Sequence, residues 1–372
     1  EAMADASVDL TPVDPRIERI ARHIVESAPP DHASDRAKLL YHWLVTNVQE
    51  GEESDGRRVI IGKNGNLWRG FITLCRAVNI PVDYAVAQSR LTLAASGPFS
   101  GAQLYTMPLV RVAVEKGDDW LSLGSKYAPF GYVPADARGM PAFVLSESGP
   151  RAVRVPTSGV ADRVTYVGDV RLAADGSADI DLEQTLSGKY ATALRGALAE
   201  MAAQQVRDLI ETRLIGHALR GAKLEKYDIV NAADPDKPIA IRTRSRVPSF
   251  AQVAGGVLLV SPPFAPRVSQ LAALPARQTP LLLADSSEQE IVLTVHPPQG
   301  STLSSPVAPQ EISDGEYKVQ IRDREQAGAV VLDRRIVLPA GRIQVGAYPE
   351  FLRFARKADD ALFASVRIRV GR

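Results

Sequence analysis

The spacing of apolar residues changes at Pro81, and that change limits the architecture more than any other feature of the chain. Before it, Ile17, Ile20, Ala21, Ile24 and Val25 recur at helical intervals after Pro15. Leu39, Leu40, Trp43, Leu44 and Val48 do the same after Ser34-Asp35, a pair that can cap a helix. A largely polar stretch over 49–63 separates these two helices from a third stripe of Leu67, Phe71, Leu74, Cys75 and Val78, which Pro81 stops. Beyond Pro81 the apolar runs are of β type, at 82–91, 109–114, 120–123 and 143–145. Helices followed by an antiparallel sheet make residues 1–156 an α+β domain.

Pro156-Thr157-Ser158-Gly159 reads as a linker into a β-rich C-terminal region over 160–372. Strand-like runs at 164–172 and 178–186 flank an Asp175-Gly176 turn signal and form a hairpin. Leu194, Leu198, Met201, Val206, Leu209, Ile210 and Leu214 then predict one long helix over about 190–219, its stripe packed on a sheet. Further strands are expected at 224–229, 239–245 and 256–260. A proline-rich passage follows, then strands at 290–295, 317–321 and 329–338, and a terminal helix over about 349–364.

The 44 Lys and Arg residues against 43 Asp and Glu leave a net charge of +1, so no bulk attraction to nucleic acid or to an anionic bilayer is expected. No apolar run approaches the roughly 18 residues of a membrane-spanning helix, and residues 1–9 lack the basic and apolar regions of a signal peptide. The single cysteine, Cys75, excludes an intrachain disulfide and a thiolate cluster. His23, His32, His42, His217 and His296 share no ligand spacing, so neither a metal nor a cofactor is expected.

Gly62-Lys63-Asn64-Gly65-Asn66-Leu67-Trp68 with Leu74-Cys75-Arg76-Ala77-Val78-Asn79-Ile80-Pro81 resembles the core of bacterial transglutaminase-like proteins. In that family a nucleophile turn opens a helix ending in a comparable segment. The next family strands correspond to Thr106-Met107-Pro108-Leu109-Val110-Arg111-Val112 and Trp120-Leu121-Ser122-Leu123. Lys126-Tyr127-Ala128-Pro129-Phe130-Gly131-Tyr132-Val133-Pro134 is similar to a segment of the subfamily that carries an N-terminal β-sandwich, a domain expected to be missing ahead of Glu1. The resemblance implies a papain/transglutaminase-like fold for 1–156 and, because family members are often exported from bacteria, an extracytoplasmic location.

Active members use a Cys-His-Asp triad, in which a thiolate attacks, an imidazole shuttles the proton and a carboxylate orients the imidazole. Counted back from Pro81 without gaps, the nucleophile's place falls on Asn64, the histidine's on Met107 and the aspartate's on Ser122, and none of the three can fill its role. The resemblance thus implies a pseudoenzyme that binds protein or peptide or serves as a scaffold, with the three vacant positions gathered at the start of the third helix. Trp68, Arg69, Arg57, Arg58 and Lys63, clustered beside the vacant turn, are the candidates for a peptide-binding lip. The alternative is an active cysteine protease or transglutaminase rearranged around Cys75. Cys75 nevertheless falls in the stripe with Phe71, Leu74 and Val78, near the helix end where the dipole disfavours a thiolate.

Overall fold

Asp14 accepts the backbone N–H of Arg16 at 2.8 Å, Pro15 follows, and α1 (Pro15–Ile24) starts there. The computed structural model describes residues 14–92, 101, 104–114, 117–146, 149–305 and 308–371. They form a mixed α and β structure, and the chain divides into two units, Glu1–Val160 and Ala161–Arg372.

In the first unit, α2 (Ala33–Asn47) is followed by β1 (Gln49–Glu50), α3 (Gly56–Gly62), β2 (Asn64–Gly65) and α4 (Leu67–Ala77). The helix α3 lies within the stretch 49–63 that the sequence reads as polar connection. Asp55 caps it by accepting from Arg57 N at 2.9 Å, Val59 and Ile60 are buried, and Lys63 ends it in the left-handed region at φ 52°. Gly56 is required here, because a Cβ would stand 2.8 Å from the main-chain oxygen of Arg69 on α4.

The sheet that follows has the order β5-β4-β3-β6-β7, formed by β3 (Val82–Gln88), β4 (Tyr105–Val114), β5 (Gly117–Leu121), β6 (Pro141–Ser146) and β7 (Gly149–Arg154), and every pairing in it is antiparallel. Side-chain alternation gives it two cores. Val110 and Val112 join Leu40, Leu44, Phe71 and Leu74 beneath the helices, whereas Leu109 joins Ala85, Ala87, Trp120 and Val144 in a separate cluster.

The second unit is built on a nine-stranded sheet. Its strands are β8 (Arg163–Leu172), β9 (Ala178–Leu186), β10 (Lys223–Val230), β11 (Ile239–Val247), and, after the short pieces β12 (Gln252–Ala254), β13 (Val257–Val260) and β14 (Leu281–Leu283), β15 (Ser287–His296). β16 (Thr302–Ser305), which belongs to a separate sheet with β12 and β13, is followed by the remaining strands of the nine, β17 (Gln310–Asp314), β18 (Tyr317–Ile321), β19 (Arg324–Gln326) and β20 (Ala329–Leu338). The order is β10-β11-β9-β8-β15-β20-β18-β17, with β19 on β20, and β8 runs parallel to β15 while the other pairs are antiparallel. β9 alternates strictly, with Ile180 and Leu182 inward and Asp179, Asp181 and Glu183 outward.

The long helix expected over 190–219 is three pieces: α5 (Lys189–Glu200), α6 (Ala203–Asp208) and a π-helical segment, Leu209–Ile215. Met201 and Ala202 are extended, at ψ 140° and 155°, and the Gln205 side chain accepts from Ala202 N at 2.8 Å to restart the helix. The apolar stripe continues across the break, so its spacing carries no sign of it. At the C-terminus, α7 (Tyr348–Leu362) is held by Arg334, whose fully buried side chain pairs with Asp323 at 2.8 Å and donates to the carbonyls of Ala361, Leu362 and Ala364. No helix among the described residues is long and apolar enough to cross a membrane.

Candidate functional site

The start of α4 is the place to which the sequence assigns a nucleophile, and local geometry puts that start at Leu67. Asn66 is the N-cap, its Oδ1 accepting from Arg69 N at 3.3 Å, and Leu67 is buried. Asn64 therefore does not stand at the helix terminus. It is exposed and spends its backbone in a parallel bridge, opposite Gln49. Gly65, at φ 136°, makes the turn from bridge to helix, where a Cβ would meet Glu53 O at 2.7 Å. The counted position and the helix start differ by three residues because the bridge, Asn64–Gly65, and the cap, Asn66, come before Leu67.

Met107 is displaced for a different reason. It pairs with Ala87 and packs into the cluster of Ala85, Ala87 and Leu109, whereas its neighbours on β4 that meet the helices are Val110 and Val112. Strand alternation turns it to the sheet face away from α4, and a bulge between β3 and β4 next to it shifts the register. Ser122 follows β5; its N–H donates to Tyr132 O at 2.9 Å and its Oγ accepts from Gly124 N at 3.3 Å, so it closes a turn. Met107 thus faces away from α4, and Asn64 and Ser122 are each held in backbone pairings of their own.

What gathers at the head of α4 is aromatic. Trp68 stacks on Tyr84 of β3 with ring centroids 4.0 Å apart, and the Arg69 guanidinium lies 4.4 Å from the Trp68 ring centroid. Burial pushes the Tyr84 phenol up, and Arg69 holds it back in part. Of the remaining lip candidates, Arg57 is tied to Asp55 at 2.8 Å and Arg58 approaches Glu53 at 3.8 Å. The Asp55 carboxyl is held down at about 2, chiefly by its hydrogen bond from Arg57. Lys63 is exposed at the end of α3. The basic cluster is thus partly consumed in organising its own loop, with Glu53 also accepting from Ser54 N and Asp55 N at 2.9 Å. Tyr84, Glu53 and Asp55 are the members that sequence reasoning missed. An Asp two residues before an Arg, ahead of Val59-Ile60, is the cap signal that marks Asp55.

Cys75 is fully buried among Phe71 and Leu74, which are also at 0% exposure. Burial pushes its thiol far above the ordinary thiol range, against a weaker pull from Arg36. A nucleophile needs the thiolate and access to substrate, and this side chain has neither. Among the described residues no group of three or more His, Cys, Asp or Glu is placed to hold a metal ion.

A shallow cavity of about 660 Å³ lies wholly in the second unit, on the outer face of the nine-stranded sheet. Its charged lining is paired across strands, Arg242 with Glu183 at 2.6 Å and Arg244 with Asp181 at 2.7 Å. Those pairs engage two of the four carboxylates in the lining, and a third, Asp169, lies 2.7 Å from His296 Nε2.

No family model matches the chain, and no curated protein does. Among solved structures the chain is similar to the crystal structure of a putative protease from Parabacteroides distasonis ATCC 8503, at a TM-score of 0.57 and 12% identity. The match covers 99% of this chain and 58% of that one, so the chain spans somewhat over half the length of the structure it resembles. At that identity the likeness is one of fold.

Proposed function

We propose that the first unit is a papain/transglutaminase-like module without catalytic chemistry, which serves as a protein- or peptide-binding or scaffold element. The observation that carries this reading is the burial of the chain's one thiol: Cys75 sits in the core under α4, and the head of that helix, where a nucleophile would meet substrate, holds the buried Leu67. Helices packed on one face of an antiparallel sheet, and a fold neighbour called a protease, support the choice of fold. The Trp68, Tyr84 and Arg69 stack offers the aromatic and guanidinium surface that interfaces favour. The alternative, an active cysteine enzyme rearranged around Cys75, requires that thiol to leave the core and to find a base.

The test is to incubate the full chain, and its Cys75→Ala variant, with a defined library of unstructured peptides and to read the products by mass spectrometry. The expected result is no cleavage, no deamidation and no amine transfer in either sample, with a subset of peptides retained by the immobilised chain. Turnover that disappears in Cys75→Ala would replace this reading with the enzyme. Absence of both turnover and peptide retention would remove the binding function.

A further inference from the structure

Arg195 of α5 is only 3% exposed, and its guanidinium serves a single loop, the connection between β10 and β11. All of the contacts go to main-chain carbonyls. Nε donates to Ala232 O at 3.2 Å and Nη1 to Pro235 O at 3.4 Å, while Nη2 faces Asn231 O at 3.1 Å, Asp234 O at 2.7 Å and Lys237 O at 2.6 Å. An Nη2 group carries two N–H bonds and here meets three oxygens, so at least one N–H is shared between acceptors, a crowding of carbonyl dipoles that a centre of positive charge favours.

The loop sequence Asn231-Ala232-Ala233-Asp234-Pro235-Asp236-Lys237-Pro238 favours such a cage. Pro235 and Pro238 have no N–H, so the segment holds more acceptors than donors. Asn231 takes the left-handed region at φ 60°, and its Nδ2 donates to Pro238 O at 3.1 Å, closing the neck of the loop. The Asp234 carboxylate is engaged by Lys237 Nζ at 3.0 Å and by Asp236 N at 3.1 Å, and together with Asp236 it attracts the guanidinium from farther out.

We propose that the 231–237 loop is a cation-binding site made of main-chain carbonyls, and that the protein fills it with its own Arg195 guanidinium in the way that carbonyl rings in other proteins strip and hold a large monovalent ion. The ligand class that fits it is a guanidinium ion or a large alkali cation. The site belongs to the second unit and does not depend on the function proposed for the first. Its consequence is that the β10–β11 connection keeps its shape without taking a cation from solution.

The experiment is amide hydrogen exchange of the loop in the full chain and in Arg195→Ala. Hydrogen bonds from a charged donor are stronger than neutral ones. Losing the set should therefore speed exchange at Ala232, Asp234 and Lys237 by at least about tenfold, the factor equivalent to about 1.4 kcal/mol. Low-millimolar guanidinium chloride should restore protection where the same concentration of choline chloride does not. Restoration by potassium chloride alone would also support the site and move its preference to the alkali ion. Unchanged exchange in Arg195→Ala would overturn the proposal, and so would a loop that responds alike to guanidinium, potassium and choline. If Arg195→Ala does not fold, Arg195→Lys and Arg195→Met decide it. The lysine, which keeps the charge, should retain more protection than the methionine, and equal protection in the two would show that packing rather than charge holds the loop.

Discussion

A buried thiol and a catalytic thiol differ by orders of magnitude in alkylation rate, and Cys75 gives that difference a definite size. Its side chain is at 0% exposure between Phe71 and Leu74, so iodoacetamide reaches it only when α4 lifts from the core. If that opening costs as much as unfolding a marginally stable domain, about 5 kcal/mol at the low end, the reactive fraction is about one part in several thousand. Labelling of the native chain should then run between three and four orders of magnitude slower than labelling of the urea-unfolded chain at the same pH, and mass spectrometry of quenched time points measures both. A native rate within about tenfold of the unfolded one would mean an accessible thiol and would refute the reasoning. Linkage adds a second readout. The folded state raises the thiol's pKa, so the stabilisation is complete below the unfolded value of about 8.5 and is lost as the pH climbs above it. Denaturation midpoints of the first unit should fall above about pH 8.5 in the parent chain and stay flatter in Cys75→Ala, which itself costs on the order of 1 kcal/mol.

Asp55→Ala should destabilise the first unit by about 0.5–2 kcal/mol through loss of the α3 cap. Because its carboxyl is depressed to about 2, the contribution of Asp55 should be complete above about pH 4 and fade as the pH falls toward that value, a trend that urea titrations at several pH values would reveal. Trp68→Ala should lower the melting temperature because the ring leaves Tyr84; if peptide retention is unchanged while stability drops, Trp68 is packing and not an anchor. Arg334→Ala should cost about 3–5 kcal/mol, since it strands the Asp323 carboxylate at 0% exposure and frees three carbonyls at the end of α7, whereas changing both partners to apolar residues should recover much of that loss in chemical denaturation.

The parts of this fold that could be read from the sequence are those where one side-chain period governs one element. The stripe through α4 names residues that are all buried, those through α1 and α2 name a mixture of buried and half-buried ones and pass over Tyr41 and Val45, and the alternation of β9 and β11 marks their inner faces. Where two local rules compete, spacing misleads. The apolar period runs on through Met201 and Ala202 although the chain there is extended, and Val59 and Ile60 make a helix inside a stretch whose glycines and charges suggest a loop. Site positions suffer more than elements, because a site depends on phase. Counting along α4 misses its start by the length of a cap and a bridge, and one step on β4 separates Met107 from the face that carries Val110. The buried cations show the limit most clearly. Arg195 and Arg334 look in the sequence like any surface arginine, yet one organises a loop 36–42 residues away and the other caps a helix end 27–30 residues away. Apart from the Asp323 carboxylate beside Arg334, their partners are main-chain carbonyls, which every residue possesses, so no residue type in the distant segment can announce the contact. A guanidinium that recognises backbone is therefore found only once the fold has brought the carbonyls together.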